Sequence, residues 1–363
     1  MGNVIFDRVT VGNKKNIIFS VDELTVPSEH IIAVVGAKDV GKTEFINLLI
    51  GKEKAMRGSV TVDGGAVPSL DKHELFYVDE STYLPAFSSV SAIMDKFQKE
   101  YPSFSREVAE KYLSAMQIPT LKVNYRNFNR MVQCAINCIM AIASRAKVTV
   151  FDQPCRDLNL KLRAMMYAFA KEDFAEMPRT MIISSNIAID VDKVADYVVY
   201  LRNKKVMFGM PYEDVDKFAV GLLGKGDIIK QYTEEENTFY HYKKSDGLVQ
   251  ALVRNNLTPE QKQALALNGV ITQYVNLVNF HAYIVKEAFG LDEITRSGQD
   301  ATQVEDKKAH SKHNLNLKKS KKKGGVTLIA KETTSGDSSK TIKEEKKETF
   351  GEKLKRILTT DLF

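Results

Sequence analysis

The stretch Gly36-Ala37-Lys38-Asp39-Val40-Gly41-Lys42-Thr43 fits the pattern G-x-x-x-x-G-K-[ST]. Glycines near both ends let the backbone curl until its N–H groups converge on phosphate oxygens. A helix opening directly behind the loop aims its positive end at the same point. In such a loop Lys42 reaches the outer phosphates and the Thr43 hydroxyl ligates Mg2+. The mechanism requires a buried strand before the loop and an amphipathic helix after it. Both are present in the pattern: Ile31–Val35 is an apolar run that ends at Gly36, and residues 44–50 read as a helix opening. Two carboxylates sit oddly here. Asp39 lies inside a cradle for anions, and Glu44 either repels phosphates by facing inward or complements a helix start by facing outward.

About 110 residues later, Val148-Thr149-Val150-Phe151-Asp152-Gln153-Pro154 is an apolar strand that ends in a carboxylate. Asp152 is placed to hold Mg2+ through water beside Thr43. Residues 181–185 are a third buried strand, and Tyr197–Arg202 with residues 205–209 flank Asn203-Lys204 as a hairpin. Helical spacing dominates between Ser89 and Met116. This alternation predicts an α/β domain with a mostly parallel sheet over residues 1–215. Residues 216–295 form a small α+β region with a helix at Pro259–Leu267 and apolar strands near 269–274 and 280–285. Met140, Met165, Met166 and Phe169 read as core.

The chain has 363 residues and a net charge of +6. The charge is uneven: residues 301–363 hold 16 Lys+Arg and 9 Asp+Glu, leaving 36 and 37 in residues 1–300. A neutral body argues against a nucleic-acid-binding fold and assigns the basic character to the tail. Residues 296–349 are poor in large apolar side chains and read as a disordered, Lys-rich linker. Within it residues 307–323 carry eight lysines, which read as a solubilising linker or as a contact for anionic lipid heads. Few aromatics are interleaved, which disfavours nucleic acid. In residues 350–363, Phe350, Leu354, Ile357 and Leu358 fall on one face of a short helix suited to docking. No run reaches the roughly 18 apolar residues of a membrane span, and the first residues lack a signal-peptide pattern. Cys134, Cys138 and Cys155 have no metal-site spacing and read as free thiols of a reducing cytosol.

With both halves of a phosphate and metal site in hand, the chain resembles an ABC ATPase domain over residues 3–215, and weakly over 216–290. Ser184-Ser185 and the trailing region are closest in look to the bacitracin-export branch. The resemblance places Tyr77-Val78-Asp79-Glu80 at the Q-loop, residues 128–132 at the signature motif, Asp157-Leu158-Asn159 at the D-loop and residues 182–186 at the H-loop. Residues 57–64 take the place of the early antiparallel strand. It implies a P-loop fold with an antiparallel β subdomain and a helical subdomain, ATP and Mg2+ as ligands, and Thr43 and Asp152 as metal holders. Residues 36–44 would contact the nucleotide.

Against that pattern several functional positions differ. The general-base Glu is Gln153, and a neutral amide orients water without accepting its proton. The switch His is Asn186, and the Q-loop Gln is Glu80. The signature Ser and glycines are Asn129, Arg130 and Met131, and a methionine cannot permit the close backbone approach of glycine. The adenine-stacking aromatic aligns with Val11, so the base is held less tightly or by another side chain. The resemblance therefore implies a cytoplasmic, membrane-peripheral ATP-binding subunit of an ABC transporter, with impaired hydrolysis, a separate transmembrane permease and a second nucleotide-binding domain as partners. The alternative is a regulatory or scaffolding pseudo-ATPase. One phosphate loop speaks against the two-domain ABC proteins that act on ribosomes, and no Asn-Lys-x-Asp motif stands where a GTPase would need it.

Overall fold

The computed structural model describes residues 2–289, apart from 14, 15, 63, 68, 69, 155, 235, 236 and 244–246. The Lys-rich segment 296–349, the terminal helix expected at 350–363 and Cys155 lie outside the described residues.

The fold is α/β with a mixed ten-stranded sheet. Its strands are β1 (Val4–Asn13), β2 (Asn16–Val26), β3 (Ile31–Val35), β4 (Arg57–Val62), β5 (Gly65–Ala66), β6 (Leu75–Val78), β7 (Val148–Asp152), β8 (Thr180–Ser185), β9 (Tyr197–Arg202) and β10 (Lys205–Pro211), in the order β5-β4-β1-β2-β10-β9-β3-β8-β7-β6. The β9-β3-β8-β7-β6 half is parallel throughout. Its central strands are continuous apolar runs buried on both faces, as a parallel sheet between helices requires. The β9–β10 hairpin is antiparallel, β10 meets β2 in a short parallel bridge, and β2, β1, β4 and β5 continue antiparallel.

The helices of this part are α1 (Lys42–Leu49), α2 (Val90–Glu100), α3 (Arg106–Ala115), α4 (Arg130–Ser144), α5 (Leu160–Glu176) and α6 (Ala188–Val191). The helical stretch 89–116 divides at Tyr101-Pro102, because proline disfavours helix in the residue before it. Four of these helices begin on side-chain caps, from Ser89, Ser105, Asn129 and Asn159. Met140 and Met166 are fully buried.

A second, four-stranded sheet follows, in the order β12-β13-β11-β14, built from β11 (Ala219–Lys225), β12 (Thr238–Lys243), β13 (Leu248–Arg254) and β14 (Ile271–Tyr274). Between its strands lie α7 (Gly226–Ile229) and α8 (Pro259–Leu267), the latter fixed by a Thr258–Gln261 capping box. The apolar run 280–285, expected as a strand, is helical instead, within α9 (Leu277–Phe289). The physical reason is local: Asn276 Oδ1 accepts from the Asn279 N–H and starts the helix. Phe280 then packs edge-on to Tyr200, Phe208, Phe218 and Phe239 at ring separations of 4.9 to 5.7 Å. That aromatic cluster spans strands of both sheets.

No helix among the described residues is long and apolar enough to cross a membrane.

Candidate nucleotide site

Parallel strands share a carboxyl edge, and residues that leave it converge there. Val35 pairs with Ser185, Asp152 with Ser184, and Val78 with Phe151. The register therefore brings the loop after β3, the acid ending β7, the turn after β8 and the segment after β6 to one place.

The loop's shape depends on its glycines. A Cβ at Gly36 would lie 2.5 Å from the Leu201 carbonyl oxygen and 2.8 Å from Val40 Cγ2. Gly41 sits at φ +101°, and a Cβ there would meet the Phe19 ring at 2.7 Å. Lys42 is buried, and its Nζ donates to the carbonyls of Gly36 at 3.0 Å and Ala37 at 2.6 Å. Burial lowers its pKa to about 8, opposed by the carboxylates of Asp152, Asp39 and Glu44. Lys38, Asp39, Gly41, Lys42, Thr43 and Glu44 all line a cleft of about 480 Å3. Glu44 thus faces the cleft, so the inward orientation of the two considered from the sequence is the one adopted.

Asp152 is buried and gathers three hydroxyl donors. Thr43 Oγ1 donates to its Oδ2 at 2.8 Å, Tyr77 to the same oxygen at 3.0 Å, and Ser184 to Oδ1 at 2.5 Å. Burial beside this carboxylate raises the Tyr77 phenol well above its usual range. Ser184 also accepts from the Gln153 N–H at 2.9 Å, which holds Gln153 at an unusual φ of +53°.

Gln153 and Asn186 are bonded to each other, Asn186 Nδ2 donating to Gln153 Oε1 at 2.8 Å. Asn186 Oδ1 is buried without a partner. A buried acceptor of this kind costs about 1–3 kcal/mol unless a water or ligand donates to it. Neither amide accepts a proton near neutrality.

Glu80 lies at the cleft and pairs with Arg156. Arg130 ties three segments together: its Nε donates to Asp157 at 3.0 Å, its Nη2 to the Glu80 carbonyl, and its guanidinium lies over Tyr83. Asn129 spends its side-chain oxygen on the Val132 N–H of its own helix. Val11 is buried in the sheet core, away from the cleft. Ile18 lines the cleft instead, beside Lys204. Val11 is wholly inside the core, whereas Ile18, near the start of β2, is half-buried and reaches both the core and the cleft.

Sequence reasoning missed four contributors: Tyr77 as a donor to Asp152, Ser184 as the anchor of Gln153, Arg156, and His281. The histidine is buried on α9. Its Nε2 donates to the Asn186 backbone carbonyl at 2.9 Å, so Nδ1 accepts from the Tyr200 hydroxyl at 2.9 Å and the ring is neutral. Desolvation lowers its pKa from the ordinary value, with the Lys42 charge adding to the effect and the Asn186 carbonyl opposing it.

His281→Phe keeps the ring volume and leaves both partners unsatisfied. It should cost about 1–3 kcal/mol in urea unfolding; a change below about 0.5 kcal/mol would show that these bonds contribute nothing. The depressed folded pKa means that the unfolded chain takes up the proton first. Wild-type stability should therefore fall as pH drops below about 6.5, and His281→Phe should lack that component.

No protein-family model matches the chain. It is similar, at 23% identity over 217 residues, to "Fe(3+) ions import ATP-binding protein FbpC" of Photorhabdus laumondii, across 57% of this chain and 62% of that protein. The "Putative ABC transporter ATP-binding protein AlbC" of Bacillus subtilis matches at 23% over 218 residues, 54% of this chain and 87% of that one. The "Thiamine import ATP-binding protein ThiQ" of Rhizobium meliloti matches at 25% over 223 residues, 57% and 86%. The chain thus spans about three-fifths of the first relative's length. Each of the three is described as an ATP-binding protein of an import system or ABC transporter.

Proposed function

We propose that this chain is the ATP-binding subunit of an ABC transporter, that it holds Mg-ATP at the cleft of Lys42 and Asp152, and that it hydrolyses the nucleotide poorly. The observation that carries the reading is the 2.8 Å bond from Thr43 to Asp152, which joins the loop after β3 to the end of β7 across 109 residues of sequence. Those two side chains fit a small divalent cation. They are short oxygen groups on rigid elements, one of them a buried carboxylate held by three hydroxyls. Gly36 and Gly41 let the loop lie against Leu201 and Phe19, where a Cβ would clash, and so fix the path on which its N–H groups turn.

When bound, Mg2+ neutralises phosphate charge. The chain's own part is to place Lys42 and the N–H groups at the start of α1 against the phosphates, with Thr43 and Asp152 holding the metal. Asp39 and Glu44 line the same cleft and weaken phosphate binding in the metal's absence. Gln153 and Asn186 orient a water and hydrogen-bond the outer phosphate but remove no proton, which leaves a site that binds longer than it turns over.

Residues 1–215 form the nucleotide domain in this reading and 216–295 an accessory one. A second nucleotide-binding domain and a separate transmembrane permease complete the assembly, placing the chain in the cytoplasm at the membrane periphery. The Lys-rich segment 307–323 adds attraction to an anionic lipid surface. Placement within the bacitracin-export branch rests on Ser184-Ser185 and the trailing region.

Affinity capture of the tagged full-length chain in mild detergent, with mass spectrometry of bound proteins, tests the assembly. Recovery of a multi-span membrane protein is expected. Recovery of soluble partners only would overturn the coupling to a permease.

A further inference from the structure

Among the cations at the cleft, Arg156 has no task in the nucleotide reading and stands shortly after the Asp152-Gln153 pair. Arg156 follows Asp152 by one short turn, its backbone N–H donating to the Gln153 carbonyl at 3.3 Å. It lines the cleft that holds Lys42 and Thr43, and also the adjoining one that reaches Asn186. Among the described residues only Lys38 and Gln153 share that double position, so Arg156 sits at the junction of the two clefts. Its Nη1 donates to Glu80 Oε2 at 2.5 Å, and the two side chains are 63% and 69% exposed. An ion pair so open to water contributes little and exchanges readily for a stronger ligand.

Charge balance supplies the reason for an exchange. The first cleft is lined by four cationic and five carboxylate side chains. A nucleoside triphosphate therefore enters a site with no surplus of positive charge, and Glu80 occupies one of the four cations. A planar guanidinium matches phosphate oxygens in a bidentate fork, which a flexible ammonium does not.

We propose that Arg156 is a phosphate-binding residue acting within its own chain, that it takes the terminal phosphate of a nucleoside triphosphate, and that Glu80 holds it while no nucleotide is bound. The inference rests on the nucleotide reading above and deepens it. The proposal gives the acidic residue at the Q-loop position a role: a carboxylate parks the arginine, as a neutral glutamine would not. It also assigns selectivity for triphosphate over diphosphate to this chain alone, without a second subunit.

The test is competitive titration of the full-length chain with a fluorescent ATP analogue against ATP and ADP, each with Mg2+. Arg156→Ala should weaken ATP roughly 10-fold or more and leave ADP within about two-fold. Arg156→Lys should fall between, and Glu80→Gln should tighten ATP by freeing the arginine. If Arg156 only props the loop through Glu80, both nucleotides weaken together and Glu80→Gln weakens them too; that result overturns the proposal, as does an unchanged ATP-to-ADP ratio. Lys42→Ala separates the two levels of inference. If the wild type binds neither nucleotide, and so Lys42→Ala shows no loss, the nucleotide reading has failed. If the wild type binds and Lys42→Ala does not, an unchanged ratio in Arg156→Ala removes the role of Arg156 alone.

Discussion

Lys42→Ala is expected to weaken nucleoside triphosphate binding by at least about 100-fold and to leave the fold intact. The Lys42 ammonium is the one cation of the loop that is buried, and it is bonded only to the carbonyls of Gly36 and Ala37. Those are neutral partners, so exchanging them for phosphate oxygens turns two bonds with one charged member into bonds between opposite charges. Each such bond contributes about 1.5–3 kcal/mol, and 1.4 kcal/mol is a factor of ten.

The stability of the empty protein should barely suffer. Burial pulls the Lys42 pKa down to about 8, which marks a site that disfavours the charge until an anion arrives. Binding itself stabilises the native state by about 2.7 kcal/mol at a ligand concentration 100 times Kd. Thermal unfolding with and without Mg-ATP, beside a titration, reads both effects. The wild type should gain Tm with nucleotide and the variant should not. Equal affinities would show that the loop does not hold phosphate.

The parallel half of the sheet was legible because its strands are short, mainly apolar runs with punctuated ends. Ile31–Val35 stops at a glycine, Val148–Asp152 at an acid and Thr180–Ser185 at hydroxyls, and each stop is a site position. The meeting of Thr43 with Asp152 followed from that pattern through strand order. The antiparallel half was less legible. In β1 and β2 long strands mix charged and apolar residues, and the alternation alone does not say that Ile18 meets the cleft while Val11 is buried in the core. The run from Phe280 failed for a related reason: a short apolar segment has no period of its own until a cap such as Asn276 decides it.

Arg156 and His281 escaped for opposite reasons. A lone arginine in a loop reads as solvated, and a lone histidine in an apolar run reads as core. The arginine acquires meaning from Glu80, 76 residues away, and the histidine from Asn186, 95 residues away. Neither separation leaves a local signal.

Gln153→Glu is the substitution expected to change turnover most, raising the rate of phosphate release by about 10²–10⁴-fold, the range a positioned general base contributes. The geometry is ready for it. Gln153 Oε1 already accepts from Asn186 Nδ2, and a glutamate would keep that bond with one oxygen and present the other as a base. The backbone demands nothing new, because Ser184 holds the N–H at position 153 and the unusual φ serves either residue equally. One opposing effect is visible: a second carboxylate one residue from buried Asp152 raises like-charge repulsion, so the gain should depend steeply on Mg2+. Phosphate release by the full-length chain should be measured against a Lys42→Ala Gln153→Glu double variant, which subtracts contaminating activity. A rise abolished in that double variant would identify the absence of a base at position 153 as what limits turnover in the proposed site. A rate unchanged by Gln153→Glu, with nucleotide still bound, would move the block to Asn129, Arg130 and Met131. There the capping oxygen of Asn129 is already committed to Val132.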